Sequence, residues 1–354
     1  MGSVSAILAR MVEARHYVAA ADPGIDVRVV SRTKLLYSEG PDAALDRPGH
    51  VRAASAMARF GDRVAIVQDD ANFVALVDAT GGVTAIPLPR GEGGQRLFDD
   101  TRGNKAAKLD LEACVVLEVG GGPCLVAFGS GSTPRREQLA LVSPDGRATL
   151  FDAHAFYTNL RSVPAFAGSE LNLEGATLLC VPGGVPGGLP GGGRDDVVFA
   201  SRGNGAAKGA IAPIDAIGRV SATRLIAYLE GRGDAPSLRD VESFDLGRLD
   251  GARLTFTDLA AHGSRLFFVA SAEASPDSVA DGPVSGVAIG ELGVAPRYGV
   301  VRDERGAPLL AKVEGLLVER ETSPGTFALR AVVDVDDPDR PAESLELEAC
   351  GFGS

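Results

Sequence analysis

The chain has 354 residues with a formal net charge of -12, 45% hydrophobic and 5% aromatic residues, no Trp, 45 Gly and 21 Pro. The apolar content is too high for a disordered chain, no Gly-X-Y period marks collagen, and no stretch approaches the roughly 18 uninterrupted apolar residues of a membrane span. The acidic balance argues against nucleic acid as a partner, because such proteins usually carry a basic face. It leaves room for a local basic pocket.

The N-terminal segment MGSVSAILARMVEARHYVAAADPG has a short apolar run broken by Arg10, Glu13 and Arg15. It reads as a short amphipathic helix and linker over residues 1–24, not as a secretion signal. Cys114, Cys124, Cys180 and Cys350 lack CxxC spacing and sit mostly in apolar runs, as expected of buried thiols in a cytoplasmic protein.

After residue 24 the chain reads as one domain of short β-rich runs separated by Gly, Pro and Asp turns. A four-run pattern recurs. VRAASAMARF, VAIVQ, FVALVD and VTAIPL form the first copy. KLDLEACVVLEV, CLVAFGS, LALVS and ATLF form the second. LNLEGATLLC, DVVFASR, AIAPID and TRLIAYLE form the third, and LTFTDLAA, RLFFVASAE, SGVAIGEL and RYGVVRD the fourth. The fifth, AKVEGLLVER, TFALRAVVDV and AESLELEAC, stops one strand short.

The β-like segment Asp26 to Tyr37 can supply that strand and close the ring. The expected fold is therefore all-β: a five-bladed β-propeller over residues 25–354, closed by an N-terminal strand. A long insertion from Gly231 to Leu249 leaves six blades as the alternative. The low-complexity run Gly183 to Asp196 is expected to be an exposed loop.

At one equivalent position the inner strands offer Ser55, Glu112, Glu174, Asp258 and Glu314, spaced 57, 62, 84 and 56 residues apart. Four carboxylates near one axis must either hold protons or share a cation. An all-oxygen set suits Ca²⁺, which would pin the blades together, and the absence of His argues against Zn²⁺. A water-filled shaft is the plain alternative.

This ring resembles that of the calcium-activated nucleotidases (apyrases). The inner motifs KLDLEA, LNLEGA and KVEGLL look like those of uncharacterised bacterial propellers loosely akin to esterase-like phytases. The resemblance implies a five-bladed fold, a central Ca²⁺ and hydrolysis of phosphorylated substrates.

Loops on a rigid scaffold are where sites usually lie. On one expected face, GSGSTPRRE brings Ser130, Ser132, Arg135 and Arg136, and SRGNGAAKG brings Arg202, Asn204 and Lys208. Lys108 leads into the second inner strand. Small residues followed by cations suit an anionic small molecule, and equally an ordinary soluble loop.

Asp69, Asp70, Glu273, Asp334 and Asp336 share that face. Asp110, two residues before Glu112, is a candidate to activate water. His50 is a candidate general base, and His154 is within reach of the same face. The leading expectation is a metal-dependent hydrolase of phosphorylated or other anionic small molecules. The rival is a non-catalytic propeller that binds a protein or glycan.

Overall fold

A computed structural model describes residues 14–180, 195–273 and 282–353. It is all-β with few helices, as the sequence leads one to expect. The run 1–13 of the expected N-terminal helix, and nearly all of the glycine-rich run, lie outside the described residues. No helix among those described is long and apolar enough to cross a membrane.

Antiparallel meanders follow one another along the chain. Ala54–Phe60, Arg63–Gln68, Phe73–Val77 and Val83–Pro87 form the first. Leu111–Val119, Gly122–Gly129, Gln138–Val142 and Ala148–Asp152 form the second. Leu173–Leu179, Asp196–Ser201, Asp215–Ser221 and Arg239–Asp245 form the third. Ala252–His262, Arg265–Glu273, Val284–Leu292 and Arg297–Arg302 form the fourth. In the fifth, Lys312–Ser323, Thr326–Asp334 and Glu343–Cys350 are completed by Asp26–Lys34, which pairs antiparallel with Glu343–Cys350.

The first strand of each meander packs on the first strand of the next, and the last returns to the first. A parallel contact of Val301 and Arg302 with Val27 and Arg28 links the fourth and fifth meanders. These edges are paired rather than left open.

Aromatic rings fill the wedges between sheets. Phe128, Phe156 and Phe199 meet between the second and third, with the Phe128 and Phe199 ring centres 5.0 Å apart and edge-on. Phe267, Phe327 and Phe352 meet where the fourth and fifth join. All six are fully buried. Edge-to-face packing adds to the area term, so a Trp-free chain still builds a dense core.

Several expectations are corrected. Arg15–Val18 and Ala20–Ala21, assigned above to a helix and linker, are strands; the first runs parallel to Arg239–Asp245. TRLIAYLE is not the fourth strand of the third meander, because Ala222–Leu229 is a helix. Its buried residues Ala222, Leu225 and Leu229 fall on one helical face, a period hidden in a nearly continuous apolar run. The third strand is Asp215–Ser221 rather than AIAPID, and the fourth is Arg239–Asp245. The insertion therefore supplies a missing strand, and it yields no extra sheet among the described residues.

Inner strands approach closely at the centre of the ring. A Cβ added to Gly175 would lie 2.8 Å from the Leu259 nitrogen, so only glycine fits there. Asp258 staples the same region: its Oδ1 accepts the Leu259 N–H at 2.7 Å and its Oδ2 the Leu316 N–H of the fifth meander at 2.8 Å. Both donors are buried beside a carboxylate that is itself 2% exposed. Asp258→Ala leaves them without an acceptor and should cost on the order of 3 kcal/mol. Urea unfolding of the variant and parent measures this, and an unchanged midpoint would refute the staple.

Candidate functional site

The inner strands share a local irregularity. Each breaks register with its neighbour at a matching place, at Ser55, Glu112, Glu174, Thr257 and Glu314, and the long fifth strand does so twice more, at Glu319 and Thr322. Such bulges re-aim a side chain and are frequent beside active sites. In the fourth meander the bulged residue is Thr257, not Asp258, so the expected ring is off by one residue there. The hydrogen bonds agree: Thr257 Oγ1 donates to the Val313 carbonyl at 2.7 Å, just as Ser55 Oγ donates to the Leu111 carbonyl at 2.5 Å. Asp258 is held by backbone N–H groups and does not line the cavity described next.

Above the bulges opens a cavity of about 570 Å³. Ser55, Glu112, Glu174 and Glu314 of the expected ring line it. Among its described lining residues are twelve carboxylates and six cationic side chains, so the cavity is acidic overall. Each cation answers to at least one carboxylate. Lys108 Nζ lies 2.5 Å from Asp69 and 2.7 Å from Asp110. Arg136 is 2.8 Å from Asp110, Arg202 is 2.8 Å from Glu273, and Arg52 is 2.5 Å from Asp70. Lys105 is 3.3 Å from Asp100 and Lys312 3.3 Å from Asp336.

Asp110 is the best-anchored acid. Its left-handed backbone (φ 58°) is tolerated by Asp, and Ser130 Oγ donates to its Oδ2 at 2.5 Å. Burial pushes its carboxyl up, but Lys108 and Arg136 outweigh burial and hold it below the usual range. Burial likewise weakens the Lys108 ammonium, yet Asp69, Asp110 and Glu112 keep it firmly charged.

Five other carboxyls of the cavity move the other way. Burial, with repulsion from Asp69 and Asp110, pushes Glu112 well up. Burial takes Glu174 to about 8 against the pull of Arg202, and burial with repulsion from Asp69 takes Asp70 to about 7. Glu314 and Asp334 are also raised by burial. The Glu174 Oε1 accepts from Asn172 at 2.6 Å.

Among the described residues, one group has metal-ligand spacing. Single ligand oxygens of Asp69, Asp110 and Glu112 all lie within 4.8 Å of one another. Asp69 Oδ1 and Glu314 Oε1 are buried and accept no hydrogen bond.

The expected anion-binding set divides. Lys108, Arg136, Arg202 and Asn204 line the cavity, whereas Arg135, Lys208, Ser130 and Ser132 do not. Lys208 is an exposed partner of Glu170, and Arg135 is exposed. Ser130 is fully buried and, with Ser132, braces Asp110 and Arg136 from behind. The GSGS loop folds inward because Gly131 lies flat on Tyr157; a Cβ there would collide with the ring. The two candidate histidines stay out of this cavity. His154 opens the helix His154–Arg161 and bonds Glu137, while His50 lies in a smaller adjoining chamber.

Sequence reasoning missed Thr257, Arg52, Asp99 and Asn172. A small residue follows four of the five bulges (Ala56, Ala113, Gly175, Gly315), but in the fourth strand neither Asp258 after Thr257 nor Leu259 after Asp258 is small, so the sequence carried no sign of the shift by one.

No curated protein matches the chain. Among solved structures, a streptogramin B lyase is 12% identical over 89% of this chain and 86% of its own, with a TM-score of 0.35. A glycosyl hydrolase from Bacteroides ovatus is 10% identical over 84% of each chain, at 0.38. A structure from work on GH130 mannoside phosphorylases and glycoside hydrolases that target β-1,2-mannosidic linkages in Candida mannan is 9% identical over 84% of each chain, at 0.43. Likenesses this loose carry no inference about this chain's reaction. Residues 50–349 match the model described as Family of unknown function (DUF6929), and the chain belongs to that family.

Proposed function

We propose that the chain is a five-bladed β-propeller that hydrolyses phosphorylated or other anionic small molecules in the acidic cavity, with Ca²⁺ held by Asp69, Asp110 and Glu112. The successive meanders and the closed circuit of inner strands support the blade count. The observation that carries the site is the convergence of three carboxylate oxygens within 4.8 Å in a cavity where carboxylates outnumber cations two to one.

The donor chemistry fits. All three ligands are hard oxygens, Asp69 Oδ1 has no partner, and Ca²⁺ accepts about six to eight such oxygens in flexible geometry. The site sits between the first and second blades, away from the axis expected from the sequence, because Asp258 is committed to backbone N–H groups and Ser55 to a carbonyl.

When bound, the cation supplies charge for an anionic substrate and for the oxyanion that forms. The chain's own groups supply the rest. Lys108, seated between Asp69 and Asp110, is positioned to turn toward the substrate's negative group once another cation satisfies those acids. Arg136 and Ser130 fix Asp110, which stays ionised and takes a proton from water. Glu174, held up to about 8, keeps its proton at neutral pH and gives it to the leaving oxygen as that bond breaks.

Calorimetric titration with calcium should show one site per chain, weakened about tenfold or more by Glu112→Gln (~1.4 kcal/mol) and unchanged by Asp258→Asn. Equal binding by the Glu112 variant would refute the assignment. Phosphate release from a panel of phosphomonoesters and nucleotides should depend on calcium, and Glu174→Gln should lower kcat about 100-fold or more while calcium still binds. Turnover by Glu174→Gln at the parent rate would remove the acid from the scheme.

The raised carboxyls also fix a pH dependence. Their folded values lie above their unfolded ones, so the stability they contribute is complete below about pH 4 and is lost as pH rises through about 7 for Asp70 and 8 for Glu174. Without calcium, the unfolding midpoint should fall between pH 6 and 9 by this contribution. Calcium should release protons on binding, bind more tightly as pH rises and offset the fall. Calcium binding that is independent of pH would contradict this.

A further inference from the structure

Beside the acidic cavity lies a second chamber of about 350 Å³ that shares Arg52, Asp99, Thr101 and Pro338 with it. Its charge balance is different. Arg47, Arg52 and Arg102 converge on it together with His50. Against them stand Asp46, Asp99 and Asp339, of which Asp339 is exposed and screened by water. The two inward carboxylates are already in use: Asp46 accepts the N–H groups of Arg96 and Leu97 and pairs with Arg102 at 3.1 Å, and Asp99 pairs with Arg52 at 3.2 Å.

Two of the guanidiniums are buried with unmet demand. The side chains of Arg47 and Arg52 are each 4% exposed, and the Nε–H of each has no acceptor. The carboxylate on Arg47 is that of Glu39, which is 62% exposed and so a weak counter-charge. Arg102 is about a third exposed; its Nη1 donates to both Asp46 oxygens and its Nε lies 3.6 Å from Asp99, so Nη2 is the arm it can offer an incoming anion. His50 Nε2 donates to the Pro338 carbonyl at 3.1 Å, which leaves Nδ1 facing no partner among the described residues. A protonated Nδ1 becomes a donor to an anion.

We propose that this chamber is a phosphate subsite. Arg102 and His50 meet the phosphate oxygens, buried Arg47 supplies positive potential behind them, and Arg52, shared between Asp70 and Asp99, adds its unpartnered Nε–H. Three guanidiniums and an imidazole match a tetrahedral dianion with several acceptor oxygens better than a planar carboxylate with two. The two chambers share a wall that includes the Arg52–Asp99 pair, which places the subsite next to the acidic cavity and its proposed substrate. Naming the ligand as part of the substrate rests on the proposed function; anion binding itself does not.

The test titrates the full chain with inorganic phosphate in calcium-free buffer, by calorimetry and by NMR of the His50 ring. The expected result is binding that raises the His50 titration midpoint and falls about tenfold or more in Arg102→Ala and in His50→Gln. Arg102→Lys, which keeps charge but loses the planar guanidinium, should recover only part of it. Lys208→Ala, at an exposed residue that lines neither chamber, should bind phosphate as the parent does. Absence of phosphate binding, equal binding by the Arg102 and His50 variants, or equal binding of acetate would each overturn the subsite. A parallel calcium titration separates the two readings: phosphate binding without calcium binding removes the cation site alone, and the converse removes the subsite alone.

Discussion

A carboxylate buried beside other carboxylates must be neutralised by a proton, a paired side chain or a bound cation. That requirement shapes the mouth of the ring. Lys108, Arg136, Arg202, Arg52 and Lys312 are each drawn into contact with acids there, and Asp110 remains ionised only because two of them touch it. Burial pushes Glu112, Glu174 and Asp334 up by more than Lys108, Arg202 and Lys312 pull them down. The surplus of acid is what favours the proposed cation site over the open anion site that its Arg and Lys residues suggest when read singly.

The bulges explain how the fold delivers this crowd to one place. An inner strand of regular pleat alternates its side chains between the two sheet faces. A register break in each inner strand, at matching positions, turns Glu112, Glu174 and Glu314 toward the cavity and leaves Ser55 and Thr257 to bridge to the neighbouring strand's carbonyl. The hydroxyl positions tie the strands together; the glutamate positions carry the charge.

Much of this was legible in the sequence. The alternation of apolar runs and turns located most strands, and the missing last strand pointed to Asp26–Lys34 as the closing one. The acidic inner-strand pattern identified Glu112, Glu174 and Glu314. What failed, failed for local reasons. TRLIAYLE is apolar almost throughout, so its helical face does not stand out from a strand. Asp258 looked like a ring member because a bulge shifts register by one, and a linear alignment cannot see a bulge. The anion set mixed residues that line the cavity with residues that only brace it, since Ser130 and Ser132 point back toward Asp110 and Arg136. Arg47 and Arg52 drew no notice because they stand alone in the sequence and meet only through the fold.

The central claim is that the acids of the cavity mouth share a cation off the axis of the ring. Anomalous scattering from crystals grown with calcium, or with a lanthanide in its place, tests it most directly. The account predicts one strong peak within coordinating distance of Asp69, Asp110 and Glu112. A peak on the axis between Glu174 and Glu314, or no peak at saturating metal, would contradict it.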